Sequence, residues 1–354
     1  MEKILILQNE LSAYNVPVYN IIATNYDLTV AYYLKDKANI VCKFKKIKLD
    51  SKNIGPFTII KDLNIVASQF DVVCIIPNLR NPSYCLLPFL SHKNKIVNWS
   101  IGFRASYTHP YITDRKHVLL DKLFQMVLSK CDASIFYMEK AKDFWKGTSL
   151  DMSNIFVAPN TTEVIPITIN KESKHDFLFV GTLYKGKGLD LLLKSYRDVV
   201  ITTNIKNQLH IVGAGDEREN LEKFVIDNNL SDKVIFHGAI YDEHKLADCF
   251  SKALLCISPT QGGLSVPKSM GYGVPFVTRK DAITGGEIYH ITPGVNGVMY
   301  EKDEDLITIL KDCALNPQKY IEMGVRAKDY YNNHASINHM AQGAMDAFSY
   351  VLKK

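Results

Sequence analysis

Four short stretches of the chain set residues capable of chemistry beside glycines. In the first, Phe179-Val-Gly181-Thr182-Leu-Tyr-Lys-Gly-Lys187-Gly188, an apolar strand-like run enters a loop with two lysines and then a helical pattern. Glycines let a backbone approach a ligand closely, and Lys187 near a helix start adds positive charge beside a phosphate. A solvated loop between strand and helix accounts for the same residues. The second stretch, Ile211-Val-Gly213-Ala-Gly215-Asp-Glu-Arg218, has two glycines of a dinucleotide fingerprint but Arg218 in place of the third. That spacing favours a tight turn over a nicotinamide site. The third, residues 258–278, reads SPTQGGLSVPKSMGYGVPFVT and contains no acid. Gly262, Gly263, Leu264 and Ser265 would offer bare amides at the start of a helix through Tyr272, an arrangement suited to an anion. Pro267 is tolerated in that first turn, Ser265 can cap it or donate to a phosphate, and Lys268 adds charge. A turn holding no ligand fits this piece as well. The fourth, Gly285-Gly286-Glu287-Ile288, puts Glu287 in a loop where it binds hydroxyls or faces solvent.

These loops need a scaffold. Strand-like runs recur at 4–7, 28–31, 72–76, 96–99, 133–137 and 155–158, with helical patterns between several of them. One such pattern, 118–130, sets Leu119, Leu120, Leu123, Val127 and Leu128 on one side. Residues 159–176 are polar, carry two prolines and read as a linker. A second set of strands follows at 177–180, 209–212, 234–236, 253–257, 276–278 and 297–300, with helices at 189–199, 217–228 and 244–249. The tail, 327–352, reads as one helix long enough to cross back to the first half. Alternating strands and helices imply parallel sheets. The expectation is an α/β protein of two Rossmann-like doubly wound domains facing a cleft: 1–165, 166–330, and a C-terminal helix, 331–354, packing back on the first. Ligands bind such sheets at their carboxyl edge.

Bulk properties narrow the class. Of 354 residues, 47% are hydrophobic and 22% charged, as in globular proteins, and no apolar run approaches the roughly 18 residues of a membrane span. Seven scattered cysteines without a CxxC read as reduced thiols in a cytoplasmic protein with no metal site. Residues 1–165 hold 20 Lys/Arg and 14 Asp/Glu, a balance of +6; residues 166–354 hold 22 and 23, a balance of −1. The basic half suits an anionic partner such as a lipid surface or a diphosphate, or reflects lysine-rich composition alone. Lys43-Phe-Lys45-Lys46-Ile-Lys48 alternates like an edge strand with a solvated lysine face. No nucleic-acid reader motif accompanies it.

Order and spacing together are more specific than any piece. Val180-Gly181-x-Leu183-x-x-x-Lys187-Gly188, Gly213-x-Gly215, Phe236-x-Gly238, Gly263-Leu264 and Gly273-x-Pro275 resemble the nucleotide-binding domain of retaining GT-B glycosyltransferases, family four. Ser12-x-Tyr14-x-x-Pro17-x-Tyr19-Asn20, Trp99-x-x-Gly102 and Ala158-x-Asn160-Thr161 look like members that build bacterial surface polysaccharides. There are departures. Thr182 stands where the family usually has arginine. Its two glutamates fall at Thr260 and Lys268, as in a subgroup lacking that motif.

The resemblance implies transfer of a sugar from a nucleotide-diphosphate sugar to a glycan or lipid-linked acceptor, with retention and without a metal or further cofactor. It implies a donor site of Gly181, Thr182, Lys187, Gly213, Gly215, Gly263, Leu264, Ser265 and Lys268, in which Lys187 neutralises the leaving diphosphate. Lys268 then takes a phosphate or ribose oxygen, and Glu287 supplies the missing acid. The acceptor would lie near Tyr14, Trp99, Gly102 and His109, although Trp99 also reads as core and His109 as a loop residue. Cytoplasmic placement with peripheral contact at the inner membrane face goes with that picture. An impaired transferase that binds a nucleotide sugar or a partner protein is the alternative reading.

Overall fold

The computed structural model describes residues 1–90, 93–103, 119–167 and 173–354. The strands are β1 Lys3–Gln8, β2 Asp27–Tyr32, β3 Lys45–Lys48, β4 Ser51–Ile54, β5 Phe57–Ile60, β6 Val72–Ile75, β7 Lys95–Ser100, β8 Ala133–Phe136, β9 Ile155–Val157, β10 Asp176–Val180, β11 Leu209–Val212, β12 Val234–Gly238, β13 Ala253–Ile257, β14 Gln261–Gly262, β15 Phe276–Arg279, β16 Ile283–Thr284 and β17 Gly297–Tyr300. The α-helices are α1 Val16–Ile22, α2 Leu63–Ala67, α3 Pro82–Leu86, α4 Leu119–Leu128, α5 Lys140–Trp145, α6 Leu189–Thr203, α7 Arg218–Asp227, α8 Glu243–Lys252, α9 Ser265–Gly271, α10 Asp305–Leu315, α11 Pro317–Tyr330 and α12 Ile337–Leu352. They form two compact units. One takes in the described residues up to Thr162 together with Ile337–Lys354, and the other runs from Glu163 to Ser336.

The first unit is built on a parallel sheet in the order β3-β2-β1-β6-β7-β8-β9. Its central strands are apolar along their length because both faces are covered. Ile4 and Ile6 pack with Val16, Ile22, Met340 and Phe348, while Leu5 and Leu7 pack with Leu63, Ala67 and Tyr84. The lysine-rich run is the edge strand expected of it, paired among the described residues with β2 alone. In α12 the small residues Ala341, Ala344 and Ala347 are fully buried. A Cβ at Gly343 would run into the carbonyl of Val157, so the helix lies directly on the backbone of β9.

Two expected helices differ. Leu119, Leu120 and Leu123 of α4 face solvent, while Phe124, Val127 and Leu128 are buried. The helix is apolar on more than one side, and periodicity alone selects the wrong stripe. The tail is not one helix: α11 ends at Tyr330, a π-helical turn spans Tyr331–Ala335, and Ser336 is extended before α12 begins.

The second unit carries a parallel sheet in the order β12-β11-β10-β13-β15-β17. Phe177 and Phe179 pack on Leu192, Leu193 and Tyr196 of α6, and Leu178 packs on the opposite face with Phe250 and Met270. Counted along the chain, the order is 3-2-1-4-5-6, so it reverses between β10 and β13. At such a switch point the loops leave in opposite directions and open a crevice at the carboxyl edge.

Candidate functional site

The loops that follow β10 and β13 carry the first and third glycine stretches, so both sit at the reversal of the second unit's sheet. Backbone contacts lock the first of these loops to the second glycine stretch, after β11. Gly181 N–H donates to the Val212 carbonyl at 3.0 Å and Leu183 N–H to that of Ala214 at 2.9 Å. A side chain at Gly213 would meet the carbonyl oxygen of Gly181, and one at Gly215 that of Leu183. These two glycines therefore have a packing role, letting two loops touch backbone to backbone. Gly188 caps α6 with φ +70° beneath Thr260, whose hydroxyl donates to the Gly186 carbonyl at 2.8 Å. The Tyr184 hydroxyl donates to Gln261 Oε1 across the same seam.

Lys187 leaves this seam half-buried, its chain passing beside Gly181. Burial pushes its ammonium below the ordinary lysine range, and the nearby Glu287 carboxylate pulls in the opposite direction. Glu287 is 4% exposed. Its Oε2 accepts from Thr284 Oγ1 at 3.0 Å and from Gly285 N–H at 2.8 Å. The two-residue strand β16 beside β14 sets that loop against the Gly262 turn, where Ile288 would meet a Cβ on Gly262. An ammonium and a carboxylate thus share one electrostatic neighbourhood at the sheet edge.

The 262–272 stretch is as expected in outline. Leu264 is the cap of α9 and makes no side-chain bond to it, Ser265 begins the helix, and Pro267 lies in its first turn. The helix ends at Gly271, one residue short of Tyr272. A Cβ at Gly263 would meet nothing within 4 Å, so the loop is open there. Thr182 is exposed. Lys268 is held: its ammonium lies 2.5 Å from Glu243 Oε1, and Tyr272 donates its hydroxyl to Glu243 Oε2 at 3.2 Å. Glu243 begins α8 and escaped the sequence reading. An acid at a helix start is commonplace, so nothing local marked it as the partner of a lysine 25 residues on.

The first-unit candidates are scattered in kind. Tyr14 lies in a turn after β1 and is 43% exposed. Trp99 is 3% exposed, its ring edge-on to Tyr19 at 6.2 Å. Gly102 has φ +94°, a Cβ there would meet Ala141 and the Phe136 ring, and its carbonyl accepts from Trp145 Nε1. His109 lies outside the described residues. Next to Trp99, the fully buried Asn98 has neither amide atom bonded among the described residues. Also among the described residues, no group of three or more His, Cys, Asp or Glu is placed to share a metal ion.

Residues 161–330 match the family model of glycosyl transferases group 1. An uncharacterised glycosyltransferase of Haemophilus influenzae is 26% identical over 216 residues, 57% of this chain and 57% of its own. A poly(glycerol-phosphate) alpha-glucosyltransferase of Bacillus subtilis is 27% identical over 222 residues, 59% of this chain and 32% of its own. The chain thus spans less than two thirds of either relative. HepE of Anabaena, solved with UDP, superposes with a TM-score of 0.71 at 14% identity, covering 98% of this chain and 100% of the other. The fold is therefore that of GT-B glycosyltransferases.

Proposed function

We propose that the protein transfers a sugar from a nucleotide-diphosphate sugar to a hydroxyl of a glycan or lipid-linked acceptor in surface-polysaccharide synthesis. The observation that carries this reading is the half-buried Lys187 beside the buried Glu287 at the sheet reversal, within the segment matching group 1 glycosyl transferases. The name of the Bacillus relative supports the acceptor class. The remaining donor contacts are proposed from Gly181, Thr182, Gly213, Gly215, Gly263, Leu264, Ser265 and Lys268, and acceptor contacts from Tyr14, Trp99, Gly102 and His109. Such an enzyme would work in the cytoplasm, against the membrane that carries its acceptor. No helix among the described residues is long and apolar enough to cross one.

In the proposed reaction the bond between the sugar's anomeric carbon and the diphosphate oxygen breaks, and the diphosphate leaves with the electron pair. Lys187 and the amides near Gly263 stabilise the charge that develops there. The acceptor hydroxyl attacks from the face the diphosphate leaves, which retains configuration, and its proton passes to a phosphate oxygen. Lys187 supplies the positive charge, so the step is written without a metal. Glu287 holds the Lys187 ammonium in its charged form and offers an oxygen to a donor hydroxyl.

A second reading has its own support. The Lys268 charge is matched by Glu243, and Thr182 is not an arginine, which leaves fewer cations for the diphosphate than a fully equipped site. The chain would then bind nucleotide sugars without turning them over. Thermal-shift screening with nucleotide sugars tests the shared premise. A ligand at 100 times its Kd adds about 2.7 kcal/mol, and a flat screen would remove both readings. Hydrolysis or transfer of the bound donor then separates them.

A further inference from the structure

We infer that the β4–β5 hairpin is a membrane-docking wedge that inserts its tip into a bilayer bearing anionic lipid. The pairing register fixes its two faces. Ser51 pairs with Ile60 and Asn53 with Thr58, while Lys52 pairs with Ile59 and Ile54 with Phe57. Paired residues share a face and successive residues alternate. Ile60 is buried against Leu49 and Leu63, so its face looks into the unit. On the opposite face Lys52, Ile54 and Phe57 are exposed and Ile59 is half-buried. At its tip Ile54 is 58% exposed and Phe57 46% exposed, either side of a Gly55-Pro56 turn.

Charge selects the occupant. Residues 51–61 contain two lysines and no acid. The longer run 43–61 has six lysines and one aspartate, a balance of +5, equal to that of the whole chain. Lys45 and Lys46 are paired with Asp27 and Asp36. Lys43, Lys48, Lys52 and Lys61 are exposed and make no ion pair among the described residues. The order along the hairpin is an uncharged apolar tip, then lysines behind it. Lys52 lies two residues, roughly 7 Å, behind Ile54. That matches the roughly 5–10 Å to which interfacial segments sink while their lysines stay at the headgroups. A nucleic acid would meet the lysines but leave the aliphatic tip without a partner.

The inference deepens the proposed function, since a lipid-linked acceptor is met at a bilayer, but it is tested apart from it. The full chain is sedimented with vesicles of phosphatidylcholine alone and of phosphatidylcholine mixed with phosphatidylglycerol. Binding to the mixed vesicles only, weakening with salt, is expected. Ile54→Ser with Phe57→Ser should weaken it about tenfold or more, and Lys52→Gln with Lys61→Gln by about tenfold. Ile226→Ser, which removes an equally exposed apolar side chain of the second unit, should change nothing. Thermal unfolding midpoints of the hairpin variants, with and without nucleotide sugar, should equal those of the parent, which shows that they fold. Overturning results are no binding to mixed vesicles, binding indifferent to the hairpin substitutions, or self-association by light scattering that those substitutions abolish. Vesicle binding without any nucleotide-sugar shift would fault the transferase reading and leave the wedge standing.

Discussion

The two units share a strand order at their centres, yet their carboxyl edges are finished differently. In the second unit Lys187 shares an electrostatic neighbourhood with Glu287, and Lys268, in the helix that follows the open turn at Gly263, is ion-paired with Glu243. In the first, β7, one strand out from the reversal between β1 and β6, carries Asn98 and Trp99 and is followed by Gly102, neutral groups packed against Tyr19, Phe136 and Ala141. A buried charge is retained only where something compensates it. The second edge thus gathers charged groups, while the first, at the end of β7, is filled by core side chains.

Removing the charge at the second of these edges should have the largest effect. Lys187→Ala should lower kcat for sugar transfer by about 10²–10³, as expected for one electrostatic donor to a leaving group. Donor-dependent turnover in the parent and variant checks this. An unchanged kcat would make the two edges functionally alike.

Lys174 calibrates what Glu287 does for Lys187. It too is buried, donating to the carbonyls of Phe250 and Ala253, but burial and the neighbouring Lys328 both push its ammonium down, to about 8. The folded state therefore binds fewer protons than the unfolded chain between about 8 and about 10.4. The cost of charging Lys174 is fully present below that window, and stability should rise as pH rises through it, by an amount on the order of 3 kcal/mol. Urea unfolding at about pH 7.5 and about pH 10 would show most of the rise, since the upper value lies near the top of that window. Lys174→Met should flatten it, and a rise that survives the substitution would assign it elsewhere.

Glycines at the two edges differ in consequence rather than in cost. Gly215→Ala drives a methyl into the Leu183 carbonyl and Gly102→Ala into Ala141 and Phe136; each should cost about 1–3 kcal/mol in urea unfolding. Only Gly215→Ala should also weaken nucleotide-sugar binding, because the loop it displaces leads to Lys187. Equal effects on binding would break the contrast.

Much of this was legible in the sequence, for physical reasons that can be named. Strands buried on both faces announce themselves as apolar runs, and every expected strand is present. The hairpin β4–β5 went unread because Ser51–Ile60 alternates only weakly and owes its inner face to a single buried position, Ile60. At the site, glycine spacing located the loops but not the reason for Gly213 and Gly215, which are fixed by carbonyls more than 30 residues away. Glu243 was illegible because its meaning comes from Lys268 and Tyr272, which only the fold brings to it.

That pair supplies a smaller test. Lys268→Met leaves Glu243 half-exposed and without its cation, so a carboxylate then faces the nucleotide. Nucleotide-sugar affinity should fall by about tenfold, the scale of one charge-assisted hydrogen bond. Lys268→Met with Glu243→Gln should recover only part of it, because charge balance is restored but the proposed donor contact of Lys268 is not. Full recovery in the double variant would remove Lys268 from the donor contacts.

The smallest effect expected is at Asn98, and its sign matters more than its size. The amide is fully buried, sits in β7 opposite Ile75 and Ser134, and has no partner for either polar atom among the described residues. A buried polar group left unbonded costs about 1–3 kcal/mol, whereas an apolar side chain of similar shape does not incur that cost. Asn98→Leu should therefore leave urea stability unchanged or raise it by about 1 kcal/mol, with nucleotide-sugar binding untouched. If stability instead falls by a comparable amount, the amide is bonded in solution, to ordered water at the least. The first edge would then hold a hydrated polar site of its own, and the contrast with the second would be one of charge rather than of open against filled.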